Sequence, residues 1–456
     1  MENTSNTYSS TTTGNRSILP ADMISVQKAR NLILEKFTQL ESVSIPIIEA
    51  INQVTTEDLI AQFDIPPHAN TGMDGYAVRA EDTEDASYSQ PKKLSVIGYL
   101  PAGKIFNGTV MSGQAVRIMT GAPIPNGANA IVPFEETNEY REEISANNTE
   151  RSEVLIDVEA MAGANIRPAG EDIKKGTIVF RKGTILGPAQ IAVLASLGLN
   201  SISVHRRPIV AVLSTGDELL SPGESYIDGK IYDSNSFGLA AQIKNFGGIP
   251  KILNIAKDNV ESLTHLIREG VENADFLITS AGVSRGDFDL VKTVLAEEGQ
   301  VGFWTVKMKP GKPLAFGIFT KKSGAHVPHL GLPGNPVSAM LTFELFGRPA
   351  IFKMLGKINA WPRPLVSAIS KDKIINTDGR RFYARVVIDE TNEVPTIRLT
   401  GKQSSGILTS MSKATAFAIC PADTSTIEVD QLCEVILIDR ENNYYGESID
   451  TLTNEY

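Results

Sequence analysis

The spacing of apolar residues changes from one stretch of this chain to the next, and each change predicts a different kind of element. Val26, Ala29, Leu32, Ile33, Phe37 and Leu40 recur at helical spacing, so Ser25 to Leu40 reads as an amphipathic helix with Ser25 as its cap. Its apolar face needs a partner. From about Gln90 to Val158 the pattern turns to short alternating runs, LSVIGYL, AVRIM and EVLIDV, parted by Gly, Pro and Asn. These predict a small β-rich module. Between Pro208 and Leu355 apolar runs alternate with helical stretches. IVAVL leads to a helix near Phe237 to Lys244, ILNIA to one near Val260 to Val271, and FLIT to one near Leu290 to Ala296. That alternation is the mark of a doubly wound α/β domain. From Pro364 the runs RFYARVVI, TIRLT, AFAIC and CEVILI, with turn residues between them, predict a small barrel or sandwich.

Bulk properties narrow the possibilities. At 456 residues the chain exceeds what one hydrophobic core fills, so several domains are expected. The boundaries read as a tail over 1–20, an N-terminal helix and linking segments over 21–62 and 159–207, a β-rich domain over 63–158, an α/β domain over 208–358 and a C-terminal β domain over 359–456. With 43 basic against 53 acidic side chains and a net charge of −10, a broad nucleic-acid surface is excluded, and an anionic ligand needs a local pocket. Cys420 and Cys433 are too few for a disulfide framework and lack zinc-site spacing, which predicts reduced thiols and a cytoplasmic setting. Met1 to Arg16 is a Ser/Thr/Asn tract without an apolar core, and no apolar run approaches the roughly 18 residues that span a bilayer. Disorder is expected for the tail, and no membrane partner for the chain.

Four polar, glycine-rich segments each follow a strand-like run of the α/β stretch: STGDEL (Ser214 to Leu219), SAGVSRGDFD (Ser280 to Asp289), KPGKP (Lys309 to Pro313) and GLPGNPVS (Gly331 to Ser338). In an open α/β sheet such loops line the carboxyl edge, where ligands bind. Asp217, Glu218, Asp287 and Asp289 are hard oxygen donors suited to Mg²⁺. Lys309, Lys312, Ser338 and the amides opening a helix after Pro336 suit a tetrahedral oxyanion. Ser280, Gly282, Ser284 and Asn335 belong to the same loops as candidate substrate contacts. A metal beside an anion pocket is what a phosphoanhydride substrate requires. Each motif has a plainer reading: TGDEL alone is as readily a strand end and helix cap, PGNP is more often a turn, and a lone lysine is usually solvated. Their convergence on one edge favours a site.

The ordered set MDGYAVR (Met73 to Arg79), RIMTGAPIPNGANAIV (Arg117 to Val132), GANIRPAGEDIKKG (Gly163 to Gly176), STGDEL, DSNS (Asp233 to Ser236), SAGVSRGD, KPGKP and GLPGNPVS resembles the MoeA and gephyrin E-domain family of molybdopterin molybdenumtransferases, from Met23 onward. The resemblance implies a central MogA-like α/β domain, a β-rich domain inserted near the N-terminus and a C-terminal β-barrel-like domain. It implies an elongated homodimer that takes adenylylated molybdopterin and molybdate, cleaves the phosphoanhydride and releases molybdenum cofactor with AMP, with the adenylyltransferase of the same pathway as a further partner. By position it assigns Asp74, Thr120 and Asp172 to two N-terminal segments that reach the cleft across the dimer. Glu218, Asp258, Asp287 and Asp289 fall on an acidic, metal-associated side. Lys309, Lys312, Ser338 and Arg380 fall on the molybdate and phosphate side, with Ser404 or Ser405. Taken without the resemblance, MDGY is a turn, since Asp before Gly commonly forms one, and Asp172 closes another.

Ala281 stands where the family usually has the first glycine of a pair, Arg285 where a smaller residue is common, Asn129 where Asp is usual, and Thr305 where some relatives have lysine. The alternative function, a scaffold or receptor-binding protein of the gephyrin E-domain type, is disfavoured by the lack of a fused adenylyltransferase domain in this sequence.

Overall fold

The computed structural model describes residues 23–141, 151–281, 289–357, 363–391 and 393–438, without the side chains of 141 and 289–292. The expected disorder of Met1 to Arg16 lies outside the described residues. The described residues form two compact units, one within 44–51 and 55–203, the other within 23–43, 52–54 and 204–438.

Helix α1 spans Val26–Leu34, with the Ser25 side chain accepting from the Lys28 amide as its cap. It is shorter than its apolar spacing predicts. After Leu34 the Lys36 and Phe37 amides bond three residues back, to Ile33 and Leu34, and Leu40 donates instead to Met354. Phe37 nevertheless stays in the core, edge-on to Phe276 with ring centroids 4.9 Å apart. The unpartnered face of α1 is thereby buried in the α/β unit, where Val26, Ala29 and Ile33 join its largest apolar cluster.

The smaller unit holds a five-stranded sheet of β1 (Gly75–Val78), β2 (Lys92–Leu100), β3 (Gln114–Ile118), β4 (Ala130–Pro133) and β5 (Glu153–Ile156), ordered β4-β1-β3-β2-β5. β1 and β4 are buried at every position, so they lack the alternation that marks a half-exposed strand. Gly75 is demanded by close approach: a Cβ there would lie 2.1 Å from the Val132 carbonyl oxygen of β4.

In the larger unit, β6 (Ile209–Ser214), β7 (Ile249–Ile252), β8 (Phe276–Ser280), β9 (Gln300–Thr305), β11 (Pro313–Thr320) and β12 (His326–Leu332) form one sheet ordered β7-β6-β8-β12-β11-β9, while β10 (Met308–Lys309) leaves it. Helices α2 (Ser234–Asn245), α3 (Val260–Asn273) and α4 (Asp289–Glu298) connect its strands. β7, β6, β8 and β12 are parallel. β11 is antiparallel to both β12 and β9, so the sheet is mixed at that edge. Because two reversals restore the direction, β9 ends on the same edge as the parallel strands, and the KPGKP excursion between β9 and β11 belongs to the carboxyl edge with the other loops.

After α5 (Pro336–Thr342), a π-helical turn at Phe343–Gly347 and α6 (Arg348–Met354) complete this layer. Beyond it, β13 (Leu365–Ser370), β14 (Arg381–Asp389), β15 (Thr396–Leu399), β16 (Ala416–Cys420) and β17 (Leu432–Leu437) pair in the ring β14-β15-β13-β17-β16-β14, a closed barrel. β10 adds to it in parallel, Met308 opposite Arg381 and Lys309 opposite Phe382. The KPGKP loop is therefore stitched to the barrel at one end and to the sheet at the other.

Candidate active site

At the end of β6 the chain passes through Thr215 and Gly216 into Asp217 and Glu218. Gly216 has φ +146°, and a Cβ on it would fall 2.3 Å from a Glu218 carboxylate oxygen. Glycine adopts this φ freely and leaves room for the exposed Glu218 side chain to fold back over the turn. Asp258 interlocks with the same turn. Its carboxylate accepts from the Thr215 hydroxyl at 3.1 Å and the Asp217 amide at 3.3 Å, while its own amide donates to Asp217 at 3.2 Å. Asp217, Glu218 and Asp258 thus share one exposed loop pair. No three His, Cys, Asp or Glu side chains among the described residues converge as a ready-made metal cage. Gly282, Ser284, Arg285 and Asp287 lie outside the described residues, as does the side chain of Asp289, the first residue of α4.

The next loops along the edge are joined by Asn235. Its side-chain N–H group donates at 2.7 Å both to the Ser280 hydroxyl and to the Gly334 carbonyl. Ser280, expected to contact substrate, is buried at the end of β8 with its hydroxyl engaged in this way. Ala281 follows in the left-handed region at φ +83°, its amide donating to Leu332 at 3.1 Å. The residue standing at the family's glycine position is thus held in a conformation that glycine adopts freely. Asn335 caps α5 by position, yet its exposed side chain makes no capping bond.

The basic side is built by the KPGKP loop. Gly311 has φ +98° and packs on α5, where a Cβ would lie 2.5 Å from the Thr342 hydroxyl and 3.7 Å from the Ser338 carbonyl. Ser338 is buried in the first turn of α5. The amides opening that helix are not all open to an anion, as the sequence suggested. Proline has none, and the Val337 amide donates to the Ser405 carbonyl at 3.2 Å. This bond brings the Ser404–Ser405 loop against the helix start. The loop is held in turn by buried Arg385, whose guanidinium donates to the carbonyls of Lys402 at 3.1 Å and Ser404 at 3.2 Å.

Lys309 and Arg380 meet at Asp378: its Oδ2 lies 2.6 Å from Arg380 Nη2 and 3.5 Å from Lys309 Nζ. Burial raises the Asp378 carboxyl, but the Arg380 guanidinium and the Lys309 charge outweigh it and hold the group below its ordinary range. Arg380 also donates to the Met308 carbonyl at 3.2 Å, and Lys309 lies 5.1 Å from the centre of the Phe382 ring. The Lys312 side chain has no ion pair among the described residues.

In the smaller unit Asp74 and Thr120 form a close pair. The Thr120 amide and hydroxyl both donate to Asp74 Oδ1 at 2.6 Å. Those two bonds, with a smaller contribution from the Arg117 charge, hold the Asp74 carboxyl below its ordinary value despite some burial. Asp172 is exposed on a turn fixed by its amide, which donates to Ile65 at 3.0 Å.

Residues 24–198 match the MoeA N-terminal region (domain I and II), 211–353 a probable molybdopterin binding domain, and 367–438 the MoeA C-terminal region (domain IV). Molybdopterin molybdenumtransferase 2 of Mycobacterium tuberculosis is 35% identical over 407 residues, which cover 88% of this chain and 96% of the relative. The chain belongs to the MoeA family. Molybdopterin molybdenumtransferase of Haemophilus influenzae is 34% identical over 429 residues, covering 93% of this chain and 100% of the relative. The crystal structure of the molybdopterin biosynthesis moea protein from Pyrococcus horikosii superposes with a TM-score of 0.75 at 32% identity, covering 91% of this chain and 99% of that one.

Within this MoeA family member, three residues that organise the loops were not singled out from the sequence. Asn235 sits in the quoted DSNS motif, where its pairing with two distant loops has no local signature. Arg385 reads as one more alternating residue of a strand. Asp378 precedes a glycine and reads as a turn former; its role depends on two cations from separate segments. The Asn129 departure is accommodated: its side chain accepts from the Ala80 amide at 2.7 Å and donates to Glu81 at 3.3 Å. An aspartate there would set a second negative charge against Glu81.

Proposed function

We propose that this chain is a molybdopterin molybdenumtransferase that takes molybdate and adenylylated molybdopterin, cleaves the phosphoanhydride and releases molybdenum cofactor and AMP. The observation that carries the reading is that an acidic loop pair (Asp217, Glu218, Asp258) and loops bearing Lys309, Lys312 and Ser338 follow strands on one sheet edge, with Arg380 of the barrel joined to Lys309 through Asp378. Such a surface suits a substrate that is part metal-bound phosphoanhydride and part oxyanion.

The donors on the acidic side fit Mg²⁺, which keeps several waters and takes one or two carboxylates together with phosphate oxygens, so it needs no closed protein cage. Asp217, Glu218, Asp258, Asp287 and Asp289 are the carboxylates from which one or two would hold it. When bound, the ion would polarise the phosphoanhydride and offset its negative charge. Glu218 is the essential carboxylate of this side. Lys309, Lys312, Arg380 and Ser338 orient molybdate, with Ser404 or Ser405 beside the helix start. The chain contributes positioning and charge stabilisation rather than a covalent nucleophile. Asp74, Thr120 and Asp172 complete the cleft from a second copy of the chain, which makes a homodimer the functional form. The adenylyltransferase that supplies the pterin is the expected pathway partner. No helix among the described residues is long and apolar enough to cross a membrane. Both cysteines are free, in keeping with a proposed cytoplasmic setting.

The deciding experiment follows AMP release from adenylylated molybdopterin in the presence of molybdate and Mg²⁺. Glu218→Gln, nearly isosteric, is expected to keep the fold and lose most turnover. Unchanged AMP release would remove Glu218 from the site. Light scattering on the active protein tests the dimer, and a fully active monomer would refute it.

A further inference from the structure

Lys309 and Arg380, the two cations assigned to the anion side, are both turned onto one acid. Asp378 Oδ2 takes Arg380 Nη2 at 2.6 Å and faces Lys309 Nζ at 3.5 Å, while Oδ1 accepts the Arg380 backbone amide at 3.2 Å. The carboxylate therefore occupies the ground between the two cations where an oxyanion would receive their charge. The group is not sealed. The side chains of Lys309, Asp378 and Arg380 keep 34%, 25% and 19% of their exposure, and Lys309 borders a cavity of 340 Å³ with Lys373, Phe382 and Gln403.

We propose that Asp378 is an internal competitor for the oxyanion: a specificity-determining carboxylate that engages Lys309 and Arg380 in the empty site and lowers their affinity for inorganic anions. The inference rests on the reading that these cations belong to the anion side, and it adds a residue that opposes binding. Its physical basis is charge arithmetic. Two cations and one carboxylate present a net charge of +1 to a ligand; without the carboxylate they present +2. Removing one negative charge at a given distance favours a dianion twice as much as a monoanion of the same shape, because the Coulomb energy is proportional to the ligand charge. A residue that only props up the fold has no such dependence.

The test is equilibrium dialysis of the full chain against molybdate and against perrhenate, a tetrahedral oxyanion with half the charge, at fixed pH and ionic strength. Asp378→Asn keeps the side-chain size and an oxygen that can accept the Arg380 amide. It is expected to bind molybdate about 3- to 10-fold more tightly, the range for a partly exposed charge interaction. On a logarithmic scale the gain for perrhenate should be about half as large. Equal gains for both anions, unchanged affinity, or weaker binding by a variant with the parent's melting temperature would overturn the proposal. If Asp378→Asn does not fold, Asp378→Ser is read by the same criteria. Lys309→Ala separates the two levels of the argument. Weakened molybdate binding there, without a gain in Asp378→Asn, refutes the competitor alone. Molybdate binding that is absent from every chain, or indifferent to Lys309→Ala, refutes the anion-side assignment and the competitor with it.

Discussion

Two charge clusters in this molecule are each built around one carboxylate, and they differ in what surrounds it. In the smaller unit, Glu139 receives the Arg117 guanidinium at 2.6 Å and the Tyr76 hydroxyl, with only 2% of the arginine and 6% of the glutamate side chain exposed. The Phe134 ring lies 4.4 Å from the guanidinium and covers it. Burial and the Glu139 charge both push the Tyr76 hydroxyl up, so it remains a neutral donor. In the larger unit Asp378 faces two cations, Arg380 and Lys309, and a quarter of its side chain is open. Sealed, a carboxylate has no competitor for its cations and contributes to the fold. Left open, the same chemistry is exchangeable with a solute. The difference lies in how far the neighbours cover the carboxylate and in its second partner, a neutral hydroxyl at Glu139 and a cation at Asp378.

The largest effect expected from this contrast is on stability. Glu139→Gln leaves the Arg117 cation buried without its counter-charge, and breaking a buried pair in this way costs about 3–5 kcal/mol. Denaturant unfolding followed in the smaller unit checks it. Arg117→Met combined with Glu139→Met, which removes both charges, should recover part of the loss. A cost below about 1 kcal/mol for Glu139→Gln, the range of exposed pairs, would erase the distinction between the clusters.

How much of this could be read in the sequence follows a similar division. Elements with an uninterrupted local apolar pattern were legible: α3 begins at the expected Val260, α2 begins three residues before the expected Phe237, where Asp233 caps it, and the barrel strands β14, β16 and β17 lie within a residue of their apolar runs. Elements fixed by distant partners were not. ILNIA was expected to be the strand, yet β7 begins earlier, at Ile249, because the Gly247–Gly248 turn delivers the chain directly to β6, with Ile249 opposite Ile209. FWTVKM divides because Val306 donates to Lys312 and Met308–Lys309 pairs with β14. In the same way, the cations of the proposed anion side could be named from the sequence, Lys309 and Lys312 from the KPGKP loop and Arg380 from the family resemblance. That Asp378 draws two of those cations together was not, because it depends on a ladder between segments some seventy residues apart.

Lys312 provides the next test, since unlike Lys309 and Arg380 it has no carboxylate partner among the described residues. Its charge is already available, so its removal should be felt by the ligand rather than by the fold. Lys312→Ala is expected to weaken molybdate by roughly 10- to 100-fold, the value of a hydrogen bond to a charged group of about 1.5–3 kcal/mol. The adenylylated pterin should be affected less. Affinities for the two substrates, measured separately at one ionic strength because screening alone mimics the effect, check this. A collapse of pterin binding with unaltered molybdate dependence would assign the loop to phosphate.

The smallest effect isolates backbone from charge. Ala281 holds φ +83° between buried Ser280 and the segment after it, where the left-handed region costs a side chain with a Cβ roughly 1–2 kcal/mol. Ala281→Gly removes that cost, while the greater freedom of glycine in the unfolded chain returns part of it. A net gain of about 0.5–1 kcal/mol follows, or a rise of about 1–4 °C in the melting temperature of a domain of this size. Packing does not oppose the change strongly. The Ala281 Cβ lies 3.4 Å from where a Cβ on Gly334 would stand, so the methyl faces a glycine on that side. No charged group moves, so molybdate affinity should be unchanged at equal ionic strength. A fall in melting temperature would mean that the methyl supports the Asn235 bridge between Ser280 and Gly334. A change in molybdate affinity with no change in stability would mean that the backbone at this loop, and not the cations alone, sets how closely the anion is held.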